Sequence, residues 1–94
     1  MELLNEKVIW QFAKKHPSAE SPLQHWVDTV KAQQWKNPAD VAQTFNSADN
    51  LGNDRWIFNI GGNNFRLAAT VWFIKHRVFV LKVMTHLEYD MEVW

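Results

Sequence analysis

The stretch Phe58-Asn59-Ile60-Gly61-Gly62-Asn63-Asn64-Phe65-Arg66-Leu67 restricts what this chain can fold into more than any other. β-favouring residues stand on both sides of a Gly-Gly-Asn-Asn core, which is how a hairpin is written in sequence. The simplest reading gives Asn63 and Asn64 the positive-φ turn positions that asparagine tolerates. On either side the apolar period is two. Trp56, Phe58 and Ile60 alternate with Ile57 and Asn59, and Phe65, Leu67, Ala69, Val71 and Phe73 alternate with Arg66, Ala68, Thr70, Trp72 and Ile74. A polar turn, Lys75-His76-Arg77, then leads into Val78–Met84. The nearly continuous apolar character of that run predicts a central strand covered on both faces. Three such strands in succession predict an antiparallel meander.

Upstream the period is helical. A first helix is expected over Leu3–Lys15, with Leu4, Val8 and Phe12 on one stripe and Leu3 and Trp10 offset by a turn. Asn5 is a candidate cap, and His16-Pro17 ends the helix because the residue before a proline is pushed out of the α region. Ser18–Gln34 offers a second helix, started by Ser21-Pro22 and facing inward with Leu23, Trp26, Val27 and Val30. Asn37 caps a short third one from Pro38 to about Phe45, Ser47–Asp54 reads as a polar loop, and Leu87–Trp94 as a last helical turn. The order predicts an α+β domain spanning residues 1–94, with N-terminal helices packed on a small antiparallel β-sheet.

Composition narrows the function. The absence of cysteine removes disulfide scaffolds and thiolate metal sites. His16, His25 and His76 are scattered at helix ends or in a turn without the spaced partner of a zinc site, so no metal or other cofactor is expected. No run reaches the roughly 18 apolar residues of a membrane span. The acidic start, Met1-Glu2-Leu3-Leu4-Asn5-Glu6, is unlike a signal peptide, so a cytoplasmic location is expected. The formal net charge of zero argues against nucleic-acid binding by bulk positive charge. Any basic patch has to be local, from Arg55, Arg66, Lys75, Arg77 and Lys82 in the sheet half, although for any one of them an ordinary solvated strand-edge charge is the commoner reading.

Just past the last strand, Thr85-His86-Leu87-Glu88-Tyr89-Asp90 gathers a hydroxyl, an imidazole, two carboxylates and a phenol. His86 is either a general acid or base, because imidazole changes charge near neutral pH, or a structural strand-end histidine. Arg66 either grips a phosphate or is a strand charge paired with Glu88 or Asp90. Lys82, alone in an apolar strand, faces solvent at an edge or lines a cleft. Tyr89 donates to an oxygen, stacks on a base, or packs over the sheet. Thr85 and Glu88 have the spacing of a capping box, the role favoured for Glu88, and Asp90 is left to orient His86 or pair with Arg66. Trp56 and Trp72 offer a stacking platform, though tryptophans in alternating strands are usually core.

The hairpin run and the Thr-His-x-Glu-Tyr-Asp closure occur in order with Leu4-Asn5, Phe12-Ala13-Lys14-Lys15-His16-Pro17, Trp26, Trp35-Lys36-Asn37-Pro38-Ala39-Asp40 and Ser47-Ala48-Asp49. Together they resemble the HigB family of toxins from bacterial toxin–antitoxin systems, within the RelE/ParE superfamily. The resemblance implies a small sheet flanked by helices and a metal-independent endoribonuclease, an mRNA interferase. Such an enzyme cuts messenger RNA on the ribosome, in the 30S decoding site, by attack of a ribose 2′-hydroxyl on the neighbouring phosphate. It implies His86, Arg66, Tyr89 and Lys82 as the catalytic set, with Asn63, Asn64, Arg55 and Arg77 as RNA contacts. It further implies a HigA-like helix-turn-helix antitoxin as partner, in an oligomeric complex. Family members often carry Lys where Gly61 and Asn64 stand, and Tyr where Phe65 stands. A catalytically weakened module that only binds antitoxin or ribosome is therefore the alternative, and a ParE-like topoisomerase poison is another use of the same fold.

Overall fold

Alternation in the strands sorts the chain into two sides of one sheet. The computed structural model describes residues 1–91, and its five strands are β1 (Glu2–Leu4), β2 (Asp49–Gly52), β3 (Arg55–Ile60), β4 (Phe65–Trp72) and β5 (Arg77–Thr85), in the spatial order β1-β5-β4-β3-β2. Helices α1 (Lys7–Lys15), α2 (Glu20–Ala32) and α3 (Pro38–Thr44) precede β2, and α4 (His86–Met91) follows β5. Trp56, Phe58, Ile60, Phe65, Leu67, Ala69 and Val71 point to the helices and are buried with Ile9, Ala13, Leu23, Trp26, Val27 and Val30. Phe58 sits at the centre, edge-on to Trp26 at 5.3 Å and to Phe45 at 5.4 Å, with Trp35 stacked at 6.4 Å. Each such ring pair contributes about 0.5–1.5 kcal/mol beyond the area it buries. The opposite side holds only Ile57, Ala68 and Met84, with Leu51 and Tyr89 partly buried against them. We call it the open face.

The α+β architecture and the β3–β4–β5 meander match the expectation, and four local features differ from it. First, Glu2–Leu4 is extended where a helix was expected, and pairs in parallel with β5 through Glu2–Arg77, Leu3–Val78 and Leu4–Phe79, which makes the sheet mixed. The open edge of β5 satisfies backbone groups that a helix's first turn leaves unpaired. Asn5 then reverses the chain at a φ of 63° and its Nδ2 donates to the Val80 carbonyl at 2.8 Å, so it is a corner and not a side-chain cap. With the start displaced, Ile9 and Ala13 form the buried centre of α1, and Val8, Trp10 and Phe12 flank it.

Second, a 3₁₀ turn over Pro17–Ala19 feeds α2, so Ser21 and Pro22 lie inside its first turn and Ser21 does not cap it. The other helix boundaries agree: α1 stops before His16-Pro17, and Asn37 Oδ1 accepts from the Asp40 amide at 3.1 Å. Third, the expected loop contains β2 and a reversal at Asn53 and Asp54, both at positive φ. In the β3–β4 hairpin the positive φ values belong to Gly61 and Gly62, not to Asn63 and Asn64, because glycine enters that region without a Cβ penalty.

Fourth, β5 is not covered on both faces. It alternates, and its alternation is interrupted by a bulge: Val80 pairs with Ala69 and Lys82 with Ala68, so Leu81 is an extra residue. Before the bulge Val78 and Val80 point to the helices. After it Val83 does so, while Lys82 and Met84 turn to the open face. Unbroken alternation from Val80 would have aimed the Lys82 ammonium into the apolar core, where an isolated charge is strongly disfavoured. The strand covered throughout is β4. The expected last turn is α4, and residues 92–94 of the expected segment lie outside the described residues. Among the described residues no helix is long and apolar enough to cross a membrane.

Candidate active site

Cross-strand partners share a face, so the register lays out the open face in rungs. They run Asn59–Arg66–Met84, Ile57–Ala68–Lys82, Arg55–Thr70–Phe79 and finally Trp72–Arg77. The first rung ends at the β3–β4 hairpin, and α4 folds over it.

Local chemistry fixes where α4 starts. Thr85 Oγ1 accepts from the Glu88 amide at 3.2 Å, and Glu88 Oε1 accepts from the Thr85 amide at 2.8 Å. This is the expected capping box. The Thr85 N–H, chiefly, holds the Glu88 carboxyl below its usual range, with Lys82 and His16 adding favourable charge. The His86 amide also donates to the Asn64 carbonyl at 3.0 Å, tying the helix to the hairpin. The result aims three side chains at one place. The Arg66 guanidinium lies 5.6 Å from the Tyr89 ring centroid, and its second terminal nitrogen lies 3.5 Å from His86 Nδ1. The other donates to the Phe65 carbonyl at 3.1 Å. His86 Nε2 faces Asp90 Oδ2 at 3.3 Å, so of the two partners expected for Asp90 it is His86 that it meets. An arginine nitrogen is always a donor, so the Arg66 contact is a hydrogen bond only in the ring state that leaves Nδ1 unprotonated, with the proton on Nε2 facing Asp90.

Access differs within the trio. His86 is exposed and Tyr89 half-buried, whereas Arg66 is 9% exposed, sheltered under the Tyr89 ring. Lys82 is half-buried one rung along, within electrostatic reach of Glu88. Asn63 and Asn64 are exposed in the turn beside His86. Arg55 stands two rungs from Arg66, about 13 Å along the strands. Arg77 is a further rung away, at the far end of the sheet, in an ion pair with Glu2 at 3.0 Å. Of the two candidate platform tryptophans, Trp56 is core on the helix side, and Trp72 packs near Phe79 at that far end.

Two residues near the site escaped sequence reasoning. Asn59 is the direct cross-strand partner of Arg66 on the open face, and the matching phase of the two alternations was the available signal. His16 stacks on Phe12 at 4.3 Å, meets the edge of Phe65 at 6.0 Å and adds to the field at Glu88. Its spacing from Phe12 marks a helix-end stacking pair, but its approach to Phe65 and Glu88 depends on residues far along the chain.

The family described as HigB_toxin, the RelE-like toxic component of a toxin–antitoxin system, matches residues 19–92. The chain is 33% identical over 92 residues to the mRNA interferase toxin HigB of Escherichia coli K12, which covers 96% of this chain and 88% of that protein. The mRNA interferase HigB of Shigella flexneri matches to the same extent. That of Escherichia coli O6:H1, strain CFT073, is 27% identical over 92 residues. This chain belongs to the HigB toxin family.

The HigB match spans the hairpin, the open face and α4, and so includes every candidate residue from Arg55 to Tyr89. As a HigB toxin the chain has an antitoxin for a partner. A concavity of about 330 Å³ lined by Asp54, Trp72, Phe73, Ile74 and Lys75 lies at the other end of the sheet from the Arg66–His86–Tyr89 cluster.

Proposed function

We propose that this HigB toxin is an endoribonuclease that cuts messenger RNA on the ribosome, in the cytoplasm, with no metal in the chemical step. The convergence of the Arg66 guanidinium, the His86 ring and the Tyr89 phenol at one end of the open face carries this reading. The substrate brings its own nucleophile, so the protein has to supply a base, positive charge and an acid. His86 Nδ1 takes the proton of the 2′-hydroxyl as its oxygen bonds to phosphorus. Arg66, with Lys82 beside it, neutralises the charge on the phosphorane. The bond to the 5′-oxygen breaks, that oxygen takes a proton from Tyr89, and a 2′,3′-cyclic phosphate remains. The two tasks are coupled: a phosphate that draws Arg66 away from His86 Nδ1 frees the lone pair the base needs. Asn63, Asn64 and Arg55 hold flanking nucleotides along the same face. A HigA-like helix-turn-helix antitoxin silences the toxin in an oligomeric complex.

The test is primer-extension mapping on programmed ribosomes. The parent chain is expected to leave new transcript ends, and His86→Ala or Arg66→Ala to lower the cutting rate about 10²–10³-fold with the melting temperature kept. A 2′-deoxy residue at the cut nucleotide should abolish cutting. One observation favours a second reading, a toxin-fold module that binds without cleaving: Arg66 is sheltered. Transcripts that stay intact at saturating toxin would establish that reading instead.

A further inference from the structure

Asparagine is a poor strand residue, yet Asn59 stands inside β3 between the core side chains Phe58 and Ile60. It lies on the open face, half-buried, as the direct cross-strand partner of Arg66. The other half-buried asparagine among the described residues, Asn5, donates to the Val80 carbonyl at 2.8 Å. No described residue hydrogen-bonds the Asn59 side chain. A partly desolvated amide without a protein partner weakens the fold, so its reason for being there lies outside the fold. Its surroundings show what that reason is. Direct cross-strand partners hold their Cβ atoms about 4.5–5.5 Å apart, which sets the amide beside the arginine that grips the phosphate in the proposed reaction. On the other flank of Arg66 the rung offers Met84, which has no proton to donate. Pairing between β2 and β3 reaches only as far as Ile57, so no strand flanks Asn59 on its outer side.

We propose that Asn59 is a further substrate contact of the nuclease, an inference that rests on the nuclease reading: its Nδ2 donates to the non-bridging oxygen of the scissile phosphate that faces β3. Arg66 and the α4 side chains reach that phosphate from the β4 and β5 side, because α4 packs chiefly on those two strands. The phosphorane spreads its charge over both non-bridging oxygens, and a guanidinium on one flank leaves the far oxygen to a second donor. A neutral amide suits that place. It stabilises the oxygen charge without repelling Arg66, and a strand position holds it ready before the reaction begins. The same role accounts for the missing protein partner, since an internal hydrogen bond would have to break before the phosphate could be received.

The test is single-turnover cutting of a short message on programmed ribosomes. The cut linkage is either all-oxygen or carries sulfur at one non-bridging position, each diastereomer separately. Asn59→Ala is expected to lower the cutting rate about 10²-fold on the all-oxygen message, with the Kd for the programmed ribosome unchanged. Asn59→Asp keeps the shape but has no proton for a phosphate oxygen, and should cut no faster than Asn59→Ala. Both variants should keep the parent's melting temperature. Sulfur accepts hydrogen bonds weakly, so one diastereomer should slow the parent yet add little to the loss in Asn59→Ala. The other diastereomer should slow parent and variant alike. Parent-like cutting by either variant overturns the proposal. So does a loss in Asn59→Ala that is equal on all three linkages, which would assign the amide to a base, a sugar or the fold. A parent that leaves every transcript intact removes the nuclease reading and this inference together, whereas a parent and variants that cut equally well remove this inference alone.

Discussion

The two sides of the sheet are written in the same strands yet answer to different chemistry. On the helix side, alternate residues of β3 and β4 are joined by three helices into one aromatic-rich core, with Trp26, Trp35, Phe58, Leu23 and Leu67 at its centre out of water. On the open side the same strands present Asn59, Arg66, Lys82 and Arg55 around a cluster of three buried residues. Stability is therefore concentrated on one side, and the proposed chemistry lies on the other. Substitutions should separate the two.

The largest expected effect is on the helix side. Phe58→Ala should cost about 3–5 kcal/mol in urea unfolding, because its neighbours Trp26, Trp35 and Phe45 cannot close the hole. A loss below about 1 kcal/mol would break the comparison by showing that the core tolerates a cavity at its centre. Arg66→Ala sharpens it from the other side. Its hydrogen bonds to Phe65 and His86 suggest a stability loss of about 1–2 kcal/mol, small beside its effect on RNA cutting. A stability loss as large as that of Phe58→Ala would mean that the open face is structural after all.

Smaller effects concern α4, which folds over the open face. Thr85→Ala removes one arm of the capping box and should cost about 1 kcal/mol, read as faster amide exchange confined to His86–Met91. The smallest is a pH effect. The folded Glu88 carboxyl titrates below its ordinary 4.5, so its contribution is fully present above that value and is lost as the pH falls through the lower, folded value. Glu88→Gln should flatten this acid-side slope of α4 stability. The change is slight, because the group is solvated.

What could be read in the sequence was whatever neighbours in the chain decide. The hairpin, the cap at Asn37, the stop at His16-Pro17 and the Thr85–Glu88 box all depend on residues within a few positions of one another, and all are present. So are the residues of the Arg66–His86–Tyr89 cluster, two of which lie on a single turn of helix. What escaped depends on partners far along the chain. Glu2–Leu4 is a strand only because β5 offers an edge, and Asn5 is a corner only because the Val80 carbonyl waits for it. Asn59 could have been placed by matching the two alternations across the hairpin, whereas His16 meets Phe65 through a contact that only the tertiary fold makes. Arg55 and Arg77 were legible as cations, but their distance from Arg66 needed the rungs.

The extra residue at Leu81 makes β5 readable in two frames: up to Val80 the even positions point inward, and from Val83 the odd ones do. A sequence comparison or a graft that treats the strand as continuous will put Lys82 and Met84 inside out. Shortening the chain by Leu81 leaves inside and outside where they are, so a gap at that position in a relative is harmless in a way that a gap two residues later is not.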